Sequence, residues 1–147
     1  MGYFSISLAK MVGEKGKVIA ADIQPEMLMA LRKRGERAGV EQQIITHLCK
    51  ADFLGLDMQF DFVLAFWMVH EVPNQLVFFK EIRSLLKPSG KFLLSEPILH
   101  VNQAMFEKTV KTAESAGLVL KEKPKISLSR SALFAVKLPA HRAGLHG

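Results

Sequence analysis

Six side chains suited to binding or proton transfer stand at or just beyond the ends of apolar runs: Asp22, Asp52, His70, Glu71, Glu96 and His100. Asp22 closes the run 17–22 (KVIAAD) and lies twenty positions after Gly2. A carboxylate at a strand end, about twenty residues beyond a glycine turn, can accept hydrogen bonds from both hydroxyls of a ribose. The role left open beside that one is capping of a helix that starts near Pro25. Asp52 closes the run 44–52 (IITHLCKAD), where turn formation is the alternative. Histidine ordinarily titrates near neutrality, so His70 could orient an acceptor hydroxyl or take its proton. A capping or plain surface role for His70 stays open. Glu96 and His100 are weaker candidates of the same kind.

These residues need a scaffold that brings strand ends together. Helical and extended patterns alternate along the chain. Phe4, Leu8, Met11 and Val12 share one helical face, with a stop at Gly13. The run 17–22 reads as a buried strand. Pro25 suits the first turn of a helix because its missing N–H would be unpaired there in any case. Met27, Leu28 and Leu31 form the inner face of that helix, and Gly39 ends it. Residues 44–52 and 60–66 (FDFVLAF) are further strands. Asn74 caps a helix with Leu76, Phe79, Ile82 and Leu86 inward, which the segment 87–90 (KPSG) breaks before a strand at 91–95. Asn102 caps another, with Met105, Phe106, Val110 and Ala113 inward, ended by Gly117. The runs 118–122 and 132–138 follow without an intervening helix, which predicts an antiparallel hairpin. The alternation predicts an α/β fold, a mostly parallel sheet with helices on both faces, with ligands beyond the carboxyl ends of its strands.

The composition supports one such domain over 1–138 and a polar tail at 139–147. Apolar residues make up 49% of the 147, enough for a core. The single cysteine, Cys49, reads as a small buried thiol and fits a reducing, cytoplasmic setting. No apolar run reaches the length of a membrane span. The first dozen residues carry no basic leader or cleavage site, and Ile6 stands where an acylation signal needs Ser or Thr. The net charge is +6, but its basic residues (Arg32, Lys33, Arg34 and Arg37, then Lys121, Lys123 and Lys125) are not interleaved with aromatics. They read as solvated faces rather than a nucleic-acid footprint. The five histidines show no metal-ligand spacing, so no metal site is expected. Neither a nucleophile elbow nor a phosphate loop ending in Gly-Lys-Ser/Thr is present.

The ordered pieces at the strand ends carry a resemblance. They are Met1-Gly2-Tyr3-Phe4, Val18-Ile19-Ala20-Ala21-Asp22-Ile23, Ala51-Asp52-Phe53 and Phe60-Asp61-Phe62-Val63-Leu64-Ala65. His70-Glu71-Val72-Pro73, Leu86-Lys87-Pro88-Ser89-Gly90-Lys91 and Leu94-Ser95-Glu96-Pro97 complete the series. Over nearly its whole length the chain resembles class I S-adenosylmethionine-dependent methyltransferases, particularly the small-molecule branch that includes quinone-biosynthesis C-methyltransferases. The resemblance implies a Rossmann-like three-layer sandwich and methyl transfer from S-adenosylmethionine to a small-molecule acceptor. It also implies that Gly2 belongs to the cofactor loop, Asp22 binds ribose and Ile23 lies against the adenosine. Asp52 would bond the adenine amino group beside Phe53, and Phe66 and Trp67 would wall the methionine part. His70 is placed on the substrate side as the candidate catalytic residue. The sequence Phe66-Trp67-Met68-Val69 differs from the Asn/Asp-Pro-Pro-Tyr signature of amino-directed nucleic-acid methyltransferases.

The resemblance also marks a gap. The family's glycine motif reads Asp/Glu-x-Gly-x-Gly-x-Gly, and this chain holds only its last two positions, Met1 and Gly2. The family's first strand, central in the sheet, is therefore expected to be missing, with the chain a fragment of a longer domain. Unpaired edges flanking the gap would each cost backbone hydrogen bonds, about 1–3 kcal/mol per buried group, against a typical total stability of about 5–15 kcal/mol. Two other readings stay open: an NAD(P)-dependent oxidoreductase, which shares a glycine loop and a ribose-binding acid, and a non-catalytic remnant serving as an interaction domain. The acceptor and the oligomeric state are not legible from the sequence.

Overall fold

The computed structural model describes residues 3–139, with the Tyr3 side chain excepted. Gly2, and the tail beyond Pro139, lie outside the described residues. The chain divides into two compact units, Met1–Gly55 and Leu56–Gly147.

The first unit contains α1 (Tyr3–Val12), β1 (Val18–Asp22), α2 (Pro25–Ala38) and β2 (Ile44–Leu48). β1 and β2 pair in parallel, Val18 with Ile44 through Asp22 with Leu48. Pro25 opens α2 as its missing N–H predicts, and Gly39 ends it in the left-handed conformation (φ 71°), with its N–H bonded back to Glu36 and Gly35. Leu28, Leu31 and Gly35 form the buried face of α2. On the apolar face of α1, Phe4, Met11 and Val12 are exposed, and the neighbouring Ala9 is buried. β2 is shorter than the run 44–52, because Lys50 and Phe53 bridge each other and fold 50–53 into a tight turn.

The second unit contains β3 (Phe60–Phe66), a 3-10 turn (Val69–Glu71), α3 (Gln75–Leu85), β4 (Leu86–Pro97), α4 (Gln103–Ser115), β5 (Leu118–Glu122) and β6 (Ser129–Val136). Its sheet has the order β3-β4-β6-β5. β3 and β4 are parallel, β4 and β6 antiparallel, and β5 and β6 form the expected antiparallel hairpin. The helix caps are those predicted: the Asn74 and Asn102 side chains accept from the backbone N–H of Val77 and Met105. Phe79, Phe92, Phe106, Phe134, Leu94 and Leu118 form a fully buried core. Two residues expected inward, Leu76 and Met105, are exposed, and Phe78 and Thr109 take the buried positions on those helices.

β4 begins earlier than expected. The segment 87–90 does break α3, but it does so by entering the strand, where Leu86 registers with Phe60. Gly90 makes this possible, because a Cβ there would stand 2.9 Å from the Phe60 carbonyl oxygen. The two edges that the resemblance assigns to a central strand, one on β1 and one on β3, have no strand partner among the described residues. Between β2 and β3 the described chain holds no helix, only the 50–53 turn and irregular chain.

Candidate functional site

In the first unit the candidate residues stand at the carboxyl ends of the paired strands. Asp22 is the last residue of β1 and half-buried, and its carbonyl accepts from the Cys49 N–H at 2.9 Å, just past the end of β2. The Asp22 Oδ1 accepts from the Gln24 N–H at 2.9 Å. This local turn leads into Pro25, but the N-cap of α2 is Gln24 and no side chain caps the helix. The second oxygen, Oδ2, makes no hydrogen bond among the described residues. Ile23 projects outward at 53% exposure. Asp52 occupies the tip of the 50–53 turn and is exposed, as is Phe53. Half-buried His47 meets the Leu54 carbonyl through Nε2 at 2.6 Å and so ties β2 to the end of this loop. A groove of about 320 Å³ lies elsewhere in the unit, between α2 and β2, lined by Leu28, Met29, Arg32 and Leu48 among others. It contains none of the candidate residues.

The second unit gathers its candidates more tightly. Phe66 ends β3, and its ring stacks on Trp67 with centroids 5.0 Å apart and planes 15° from parallel. Trp67 has φ 57°, a left-handed backbone that bulky residues rarely adopt. Its N–H still bonds the Ser95 carbonyl at 2.7 Å, and its indole Nε1 donates to the Ser129 Oγ at 2.9 Å. Strain of this kind persists only where neighbours hold it, and here two strands of the sheet do so.

Beyond this bend the chain makes the 3-10 turn that carries His70. Glu96, near the end of β4, is 1% exposed and serves that turn with both carboxylate oxygens. Oε1 accepts from the Val69 N–H at 3.0 Å. Oε2 accepts from the His70 N–H at 2.8 Å and lies 3.0 Å from the His70 Nδ1. Burial pushes the Glu96 carboxyl above the ordinary carboxylate range, opposed in part by the His70 imidazole and by the two backbone N–H groups. The His100 ring stacks on His70 at 5.9 Å with planes 6° apart. The exposed Glu71 is 3.9 Å from the His70 Nε2, beyond hydrogen-bonding distance. Glu96 is therefore the centre of this group, although its sequence signal was slight: a lone carboxylate at the end of an otherwise apolar strand, Leu94-Ser95-Glu96-Pro97. Ser129, the partner of the indole, carried no sequence signal.

Among the described residues no group of three or more His, Cys, Asp or Glu side chains could hold a metal ion, and no helix is long and apolar enough to cross a membrane. The lone thiol, Cys49, is half-buried.

A model of the methyltransferase domain matches residues 1–131. The chain belongs to the methyltransferase domain family. A demethylmenaquinone methyltransferase of Bacillus cereus is 30% identical over 93 residues, covering 63% of this chain and 39% of that protein. The methyltransferase chain thus spans well under half the length of the curated relatives it matches. Among solved structures, a SAM-dependent methyltransferase from Aquifex aeolicus superposes with a TM-score of 0.80 at 23% identity, covering 92% of this chain and 77% of that one. A glycopeptide N-methyltransferase in complex with S-adenosyl-L-homocysteine gives 0.76 at 15% identity, covering 92% and 79%. These structures establish the Rossmann-like α/β fold of the domain.

Proposed function

We propose that this methyltransferase domain transfers a methyl group from S-adenosylmethionine to a small-molecule acceptor with an ionisable hydroxyl, of the quinol kind. The observation that carries the reading is the set of acidic and aromatic side chains at strand carboxyl ends, in a chain whose family is that of methyltransferase domains. The name of the curated relatives, demethylmenaquinone methyltransferases, supports the acceptor class.

The donor chemistry present suits the cofactor. Asp22 is half-buried at the end of β1 and keeps one carboxylate oxygen uncommitted, which fits a ribose hydroxyl. Asp52, exposed on its turn beside Phe53, would accept from the adenine amino group, with Ile23 and Phe53 supplying apolar contact. Gly2 would belong to the cofactor loop. Phe66 and Trp67 would contact the methionine portion. When bound, S-adenosylmethionine supplies an electrophilic methyl on a sulfonium. The protein's remaining tasks are to hold the acceptor in line, exclude water and receive a proton. His70 is the candidate for the last of these. Loss of the hydroxyl proton gives the acceptor the electron density that forms the new bond to the methyl carbon, as the bond to sulfur breaks.

The basic residues fall in separate stretches of the sequence, on α2 and in or just after β5, without interleaved aromatics, which favours small-molecule over nucleic-acid partners. The lone cysteine suits a reducing, cytoplasmic setting. Calorimetric titration of the 147-residue protein with S-adenosylhomocysteine, and separately with NADH, tests the cofactor assignment. Saturable binding of the former alone is expected, with a corresponding rise in Tm. Binding of NADH alone would make it an oxidoreductase, and binding of neither cofactor by this chain or by an N-terminally extended one would leave a non-catalytic interaction domain.

A further inference from the structure

We propose that Glu96 is a positioning residue that fixes His70 in its Nδ1–H tautomer and so presents Nε2 as the proton acceptor. The inference rests on the methyl-transfer reading for its consequence, but its geometry stands on the second unit alone. Both oxygens of the Glu96 carboxylate are already engaged as acceptors from backbone N–H groups, Oε1 by Val69 and Oε2 by His70. The two N–H donations work against the effect of burial on this carboxyl and favour its ionised form, which has no proton to give. The 3.0 Å contact between Oε2 and Nδ1 must then be a donation from the ring. That leaves Nε2 as the lone-pair nitrogen, and it makes no hydrogen bond among the described residues. One oxygen thus grips both the backbone and the side chain of the same residue, and the parallel His100 ring backs the imidazole plane.

A purely structural part would be an uneconomical use of this side chain. Holding a 3-10 turn needs two acceptors, and a buried carboxylate is a costly way to provide them unless its charge is also used. The charged and titratable groups around His70 are few. Glu71 is on the same turn, Glu96 is on β4 and His100 follows β4. Arg130 of β6 registers opposite Glu96, but its guanidinium is turned to the Val101 carbonyl and the Gln103 Oε1. Glu96 is therefore left to His70 rather than neutralised by the arginine.

Long-range proton–nitrogen correlation spectra of the 15N-labelled 147-residue protein at neutral to mildly alkaline pH read the tautomer directly. The expected result is a protonated Nδ1 and an unprotonated Nε2 for His70, lost or mixed in Glu96→Gln and retained in Glu71→Gln. A wild-type His70 protonated at Nε2, or a tautomer unchanged in Glu96→Gln, would overturn the proposal. The wild-type spectrum decides even if Glu96→Gln does not fold. Methyl transfer from labelled S-adenosylmethionine to 1,4-dihydroxynaphthalene supplies the second readout. Glu96→Gln should lose about tenfold or more in kcat, within the range of general-base contributions. Its cofactor affinity by calorimetry should be unchanged, and the deficit should narrow as rising pH ionises the naphthol unaided. Equal turnover at all pH values would overturn the proposal. Absence of S-adenosylmethionine binding by the wild type would instead remove the methyl-transfer reading, and the tautomer comparison would still decide the positioning claim.

Discussion

The Glu96 Oε2 lies 2.8 Å from the backbone nitrogen of His70 and 3.0 Å from its Nδ1, joining the end of β4 to the turn beyond β3. One buried carboxylate thereby orders the segment that leaves the strand end and aims the side chain on it.

The burial of Glu96 makes stability depend on pH with a definite sign. Its folded-state pKa is raised above the ordinary value of 4.5, mainly by desolvation, so the folded state holds the proton more tightly than the unfolded state. The stability from this group is fully present below the ordinary pKa and is lost as pH rises through the raised one. Urea denaturation of wild type and Glu96→Gln across that window should show the wild type losing stability relative to the variant as pH rises. A difference independent of pH would contradict the raised carboxyl.

Asp22→Asn should weaken cofactor binding by about tenfold to a hundredfold, the equivalent of one charge-assisted hydrogen bond of about 1.5–3 kcal/mol. The side-chain oxygen that accepts from the Gln24 N–H remains available in the amide, so the Tm of the unliganded protein should change little. Calorimetry with S-adenosylhomocysteine checks the first statement and thermal unfolding the second. Undiminished affinity would leave Asp22 only its local turn.

Ser95 on β4 and Ser131 on β6 form a hydrogen bond of 2.8 Å in the buried sheet, at directly registered positions. Removing one hydroxyl strands the other, at a cost of about 1–3 kcal/mol, whereas removing both relieves the debt. The double variant Ser95→Ala/Ser131→Ala should therefore be no less stable than either single variant. Strictly additive losses in a double-mutant cycle would show that the pair is not coupled.

Phe92 is fully buried on β4, between the Phe79 and Phe134 rings at 6.0 and 5.9 Å. Phe92→Ala should cost about 3–5 kcal/mol, a large part of a small domain's stability, because the cavity cannot collapse between two fixed aromatics. Denaturant midpoints measure this, and a loss under about 1 kcal/mol would mean that the ring stack is not the core of the unit.

The sequence by itself determined the element types, the helix starts at Pro25, Asn74 and Asn102, and the C-terminal hairpin. All of these rest on local causes: a missing N–H, a short side-chain acceptor, or two extended runs with no helix between them. It also marked Asp22 and His70, because a polar residue following an apolar run is visible in one dimension. Family membership was legible in the same way, from the order of the pieces. The buried faces of α2, α3 and α4 were legible in part, through Leu28, Leu31, Phe79, Ile82, Phe106, Val110 and Ala113, and the tertiary structure decided the rest. The α1 stripe of Phe4, Met11 and Val12 has sound periodicity but is exposed, since periodicity tells which residues share a face and not what covers it. It alone gave Glu96 its rank over His100 and Glu71, and gave Trp67 its left-handed backbone and its Ser129 partner, sixty-two positions away. Such contacts depend on strand register, and register is fixed by the packing of whole strands rather than by the residues on either side of a site.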